Sequence, residues 1–142
     1  MAGYSSRSLA DKLGIKSDMR ALLVGPCDTL IDALPKELKP TIKAKLPTST
    51  TRYDYIHFFS TQEAQIAQSM PRLRELIVDS GMLWISWPKK AAAKLHKIDT
   101  DLTEDIIREH ALRHGLVDVK VCAVDDVWSG LKLVIPVKDR KA

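Results

Sequence analysis

Helical and strand periodicities alternate along this chain, and their order predicts its architecture. The first helix falls over residues 8–13, with Leu9 and Leu13 on one face. Gly14 supplies the left-handed position that ends it. Met19-Arg20-Ala21-Leu22-Leu23-Val24 reads as a strand apolar on both faces, hence central, stopped by Gly25-Pro26. Asp28 or Thr29 caps a helix through Leu34, with Leu30, Ile31 and Leu34 facing inward. Pro35 opens a further short helical piece that Pro40 closes. Ile42-Lys43-Ala44-Lys45-Leu46 then alternates apolar and basic, the pattern of a half-exposed strand whose lysines guard a sheet edge.

Tyr53-Asp54-Tyr55-Ile56-His57-Phe58-Phe59 is an aromatic-rich strand closed by Ser60-Thr61. From Gln62 the pattern is helical, with Ile66, Met70, Leu73 and Ile77 on one face. Pro71 predicts a kink there, or two abutting helices. A turn at Asp79-Ser80-Gly81 leads into the buried strand 82–87, which ends in Pro88-Lys89-Lys90. A long, lysine-bearing connection follows over 89–100. Asp101 and Glu104 have capping-box spacing for a helix over 102–114, which Gly115 terminates. Residues 117–124 alternate cleanly and, after Asp125-Asp126-Val127, pair with 128–137 as an antiparallel hairpin. Residues 138–142 form a charged tail.

Strands alternating with helices, then a terminal hairpin, predict a three-layer α/β sandwich with a mostly parallel sheet. One local conflict stands out. Only residues 47–52 join the 42–46 strand to the 53–59 strand, too few for the crossover that a parallel neighbour needs. The 42–46 segment is therefore expected to run antiparallel or to be no regular strand.

Composition adds limits more than direction. The 142 residues, 45% hydrophobic and 28% charged, suit a single domain over 1–142 with a real core. No apolar run is long enough to span a bilayer, no signal-peptide core follows the N-terminus, and only Cys27 and Cys122 are present. A soluble, reduced, cytoplasmic protein is the expectation. The net charge of +4 permits polyanion binding without requiring it, because the lysines are scattered.

Three stretches carry a resemblance: SGMLWISWPKK (80–90), TDLTEDIIREHAL (100–112) and GLVDVKVCAVDDVWSGLKLVI (115–135). They are similar to a bacterial family catalogued as a domain of unknown function, with a truncated class I methyltransferase-like, Rossmann-like fold. The similarity runs from Leu9 to Val137 and is strongest in the second half. It implies a last strand slotted antiparallel between its two predecessors, but no established activity. True methyltransferases follow strand one with a G-x-G-x-G loop and end strand two in an acidic residue for the ribose hydroxyls. Here those places read Val24-Gly25-Pro26-Cys27-Asp28 and Lys45-Leu46-Pro47. Part of the usual second and third βα units is missing as well. These departures weigh against S-adenosylmethionine as a cofactor bound in the usual manner.

Ligands of open α/β sheets bind beyond the carboxyl ends of the parallel strands. That rim is expected to gather Gly25, Trp87, Lys89, Lys90, Asp125, Asp126 and Trp128 as a ligand-binding set. Two tryptophans beside lysines would suit a flat or anionic ligand; the alternative is that they cap the sheet. Cys27 precedes a helix start, and Cys122 sits mid-strand; both read as packing residues. His110 and His114 have the i, i+4 spacing of metal ligands but lack the H-E-x-x-H glutamate, so no metal is assigned. No catalytic residue is assigned, and no G-x-S-x-G or P-loop is present.

Three functions follow in order. The first is a non-enzymatic or degenerate methyltransferase-like domain that binds a small anionic or aromatic ligand, or a protein partner, at that rim. The second is an S-adenosylmethionine-dependent methyltransferase with an atypical cofactor loop. The third is weak nucleic-acid binding through Lys89, Lys90, Lys94 and Lys97, without a recognisable module behind it.

Overall fold

The computed structural model describes residues 8–26 and 28–140. Among these residues six strands form one sheet: β1 (Ala21–Val24), β2 (Thr41–Lys43), β3 (Tyr53–Phe59), β4 (Ile77–Pro88), β5 (Val117–Ala123) and β6 (Trp128–Val134). Their spatial order is β2-β1-β3-β4-β6-β5. The β2-β1, β1-β3 and β3-β4 pairs are parallel, and β6 slots antiparallel between β4 and β5. The sheet is thus the predicted mostly parallel one with an antiparallel terminal hairpin.

Alternation along the strands splits the core in two. Leu22, Val24, Ile56, Phe58, Leu83, Ile85, Leu131 and Leu133 face α3 (Glu63–Leu76) and α5 (Glu104–Arg113). Leu23, Tyr55, Phe59 and Trp84 face the other way, toward α1 (Leu9–Leu13) and α2 (Asp28–Asp32). Both clusters consist of side chains almost fully withdrawn from water, the main stabilising term of such a sandwich.

Several elements differ from the sequence expectation. β2 is parallel to β1, not antiparallel, and it ends at Lys43. The conflict over its short link to β3 disappears because β1 lies between them. The nine residues 44–52 can extend about 30 Å. That is enough to return along a strand the length of β3, about 23 Å, without a helix. Leu46 packs against the α3-side core, and Arg72 Nη2 donates to the carbonyls of Pro47 and Ser49, so the crossover lies on the α3 face.

Of the two expectations at Pro71, a kink or two abutting helices, the second is not met, since α3 continues through it as one helix; Pro71 and Ala67, one turn earlier, both lie on its exposed side. It passes directly into β4, so Asp79-Ser80-Gly81 is a bulge within the strand and not a turn before it. Tyr53 pairs with Ile77 and Tyr55 with Met82, which leaves four residues, 78–81, looped out. The expected helical piece at 35–40 is a turn, and the 89–100 connection contains a helix, α4 (Lys90–Leu95). Thr103 caps α5 by accepting from Ile106 N at 3.2 Å. Asp101 instead accepts from Glu63 N at 2.7 Å and caps α3. Residues 137–139, read as strand and tail, form a 3-10 turn.

Candidate functional site

The carboxyl ends of β1, β3 and β4 share one rim, to which β6 brings its first residue. The chain leaves β1 toward β2 on one side and β3 toward β4 on the other, so the strand order reverses between β1 and β3. Gly25 sits at that reversal with φ +103°. A Cβ added there would lie 2.9 Å from Phe59 Cβ and 3.1 Å from its carbonyl oxygen. Close approach of β1 to β3 therefore accounts for this glycine.

On the β4–β6 half of the rim the predicted residues meet one another. Asp125 Oδ1 accepts from the backbone of Val127 and Trp128, both at 2.8 Å, and its Oδ2 accepts from Thr29 Oγ1 of α2 at 2.9 Å. Burial pushes the Asp125 carboxyl up, but the bonds from Trp128, Val127 and Thr29, with Lys89 nearby, outweigh it and hold the group below its ordinary range. Lys89 Nζ donates to the Asp125 carbonyl at 2.8 Å, and Lys89 N donates to Val127 O at 2.8 Å. Lys90 is exposed as the first residue of α4, and Asp126 is exposed at the hairpin turn.

The two tryptophans reach this rim from opposite faces. Trp87 belongs with Leu83 and Ile85 to the α3-side core, whereas Trp128 stands across from Pro88, one residue on, and packs on the other side. Period-two alternation separates them, so they form no common aromatic floor. Trp128 meets Phe59 edge-on, ring centroids 5.3 Å apart.

The β1–β2 half is open. A cavity of about 460 Å³ lies on the α3 side, beside the carboxyl ends of β1 and β3 and the start of the crossover that follows β2. Val24, Leu46 and Phe58 supply its apolar wall, and Gln65, Gln68 and Ser69 of α3 its polar wall. Lys45, in the crossover that follows β2, is the one charged residue on its lining among the described residues. Sequence reasoning noted Lys45 only as a departure from an acidic pattern, and it missed the α3 amides. Their signal was available, since Gln65, Gln68 and Ser69 sit at helical spacing beside the buried Ile66 and Met70.

Beneath the rim lies a polar column that the sequence did not reveal. Tyr55 Oη is 2.8 Å from His57 Nδ1, and His57 Nε2 is 2.6 Å from Ser86 Oγ. All three residues are fully buried, and the imidazole stacks on Phe59 with centroids 4.5 Å apart. Burial lowers the His57 pKa to about 3 and raises that of Tyr55. A neutral imidazole serves both neighbours, accepting at one nitrogen and donating at the other. Tyr55 and His57 are two apart in one strand and so share a face; Ser86 is brought in by the β3–β4 register.

The remaining candidates have plain surroundings. His110 Nε2 lies 2.9 Å from Glu63 Oε2, tying α5 to the start of α3, and His114 forms the C-cap of α5. Among the described residues no group of three or more His, Cys, Asp or Glu could hold a metal. Cys122 is a half-buried free thiol at the margin of the Trp84-side core, less enclosed than its mid-strand position suggested. Cys27 and the end of the charged tail lie outside the described residues. No described helix is long and apolar enough to cross a membrane.

No family model matches the chain, and no curated protein sequence matches it. Solved structures do share its fold. Magnesium protoporphyrin IX methyltransferase from Synechocystis PCC 6803, with bound S-adenosylhomocysteine, superposes with a TM-score of 0.58 at 13% identity, over 82% of this chain and 74% of that one. An O-methyltransferase from neocarzinostatin biosynthesis, in complex with S-adenosylmethionine and a naphthoic acid, gives 0.63 at 10%, over 82% and 48%. The mitomycin 7-O-methyltransferase gives 0.65 at 11%, over 89% and 52%. The chain thus spans about half the length of the last two. At such identities the likeness is one of fold, and the fold is methyltransferase-like and Rossmann-like.

Proposed function

We propose that this chain is a ligand-binding domain of methyltransferase type whose ligand is an anionic nucleoside, such as a nucleotide, seated in the cavity beside β1 and β2. The observation that carries the reading is the lining of that cavity, in which, among the described residues, Lys45 is the one charged group. A carboxylate at the end of the second strand accepts hydrogen bonds from ribose hydroxyls, whereas an ammonium can only donate and attracts phosphate. The position at the strand-order reversal is where open α/β sheets take such ligands, and the mixed apolar and amide lining suits a base and its sugar.

The fold neighbours favour a second reading, an S-adenosylmethionine-dependent methyltransferase, because two of those named above hold that cofactor or its product. The fit of the cofactor to these residues is poor. Gly25 is occupied by its contact with Phe59, and Lys45 adds positive charge beside a ligand that is itself a cation. No step of methyl transfer is derived from these residues.

Titration calorimetry with AMP, ADP, S-adenosylmethionine and S-adenosylhomocysteine separates the readings. Saturable AMP or ADP binding that weakens with salt and on Lys45→Glu supports the first. Tighter binding of S-adenosylmethionine than of either nucleotide replaces it with the second. Binding of none of the four removes both.

A further inference from the structure

A second cavity, of about 300 Å³, lies between α4 and the segment that leads into α5, away from the Lys45 cavity. Its walls are mainly apolar, with Ala93 and Leu102 buried at its base and Ile98 half-buried at its side. Lys90 and Lys94, four residues apart on one face of α4, line its mouth. Among the described residues neither ammonium belongs to an ion pair.

The other polar groups on the lining are already engaged. Thr100 Oγ1 accepts from Leu102 N at 3.2 Å, and Thr103 Oγ1 accepts from Ile106 N at 3.2 Å. Asp101, the one acidic lining residue among the described residues, accepts from Glu63 N at 2.7 Å, so its charge is set against the positive end of α3. What is left is an apolar slot with two uncommitted cations at its mouth. That combination complements one kind of molecule, an anion on a compact apolar body.

We infer that this slot binds a small amphiphilic anion, its carboxylate or phosphate head between Lys90 and Lys94 and its aliphatic body against Ala93, Ile98 and Leu102. The inference stands apart from the nucleoside reading, since the two cavities share no lining residue. The apolar body supplies affinity by leaving water, and the lysines supply orientation and selectivity for charge.

The test is amide chemical-shift mapping on the full chain with octanoate, octyl phosphate and the neutral octanamide. At least one anion is expected to saturate, with perturbations confined to residues 90–103, and octanamide is expected to bind about tenfold more weakly. The anion that binds tighter identifies the head group. The double variant Lys90→Gln, Lys94→Gln, on exposed positions where folding is unaffected, should lose about tenfold in affinity for that anion. Lys97→Gln, on a residue that does not line the slot, should leave it unchanged. The inference is overturned if octanamide matches both anions, if the double variant binds like the parent, if Lys97→Gln has the same effect as the double variant, or if no anion saturates.

Discussion

The two halves of the carboxyl rim use charged residues in opposite ways. On the β4–β6 half, Asp125 receives two backbone amides and the Thr29 hydroxyl, and Lys89 closes on the Asp125 carbonyl. On the β1–β2 half, Lys45 borders an open cavity walled by amides and aliphatic carbons. The first half holds the residues that look most like a site in the sequence, and the contacts among them tie α2, β4 and the β5–β6 turn together. The second half looks unremarkable in the sequence, yet its residues face space. A charged residue that stands beside a loop therefore says little until its partners are known.

This contrast can be attacked at its boundary first. Gly25→Ala places a methyl group against Phe59 in a backbone conformation that side chains rarely adopt, and should cost about 3 kcal/mol by wedging β1 from β3. Urea denaturation measures it; a loss no greater than that of an ordinary surface alanine would mean that the two strands separate freely. Asp125→Ala removes the carboxylate that accepts three of the hydrogen bonds on the engaged half and should cost about 2 kcal/mol. Asp125→Asn should recover part of that, and a fully stable alanine variant would show that this half is not held by Asp125.

Acid probes the column below both halves. The unfolded chain binds a proton at His57 near its ordinary value of 6.5, and the folded chain does so only near 3. The unfolded state therefore holds more protons throughout that window. Stability is complete above pH 6.5 and declines as pH falls toward 3, by up to about 1.4 kcal/mol per unit from this group alone. His57→Gln, which keeps hydrogen-bonding capacity without titrating, should flatten the slope between those limits. The same slope in that variant would assign the acid sensitivity elsewhere, Asp125 included.

The smallest effect on stability belongs to the open half. Lys45→Gln should change unfolding free energy by no more than about 0.5 kcal/mol, because the residue is exposed and has no ion pair among the described residues. Its nucleotide affinity should nevertheless drop about fivefold. A destabilised Lys45→Gln with unchanged affinity would reverse the comparison between the halves.

Much of the scaffold was legible because it rests on local pattern. Gly14 and Gly115 do end their helices in left-handed conformations, and 117–123 and 128–134 do form the antiparallel hairpin. What escaped depended on contacts distant in sequence. Asp101 looked like a cap for the helix that follows it, but the amide it satisfies is that of Glu63, reached only through the packing of α5 on α3. The partner of β2 could not be read from its length or alternation, since β1 is chosen by topology. Of the site, the positions at the rim were legible, since each follows from strand order. The opposite facing of Trp87 and Trp128 was not, because it depends on the β4–β6 register, in which Trp128 stands across from Pro88.

The crossover from β2 to β3 has one more consequence, for what the chain can accept. Its nine residues are fastened to α3 through the Arg72 guanidinium, at the carbonyls of Pro47 and Ser49. Beyond Ser49 it is free to lengthen, since doubling a flexible loop adds only about 0.6 kcal/mol of closure cost. An insert at residues 50–51 would emerge at the amino end of β3, opposite the carboxyl rim, without shifting any strand register. That makes this crossover the natural port for grafting a reporter, or a further structural unit, onto the domain.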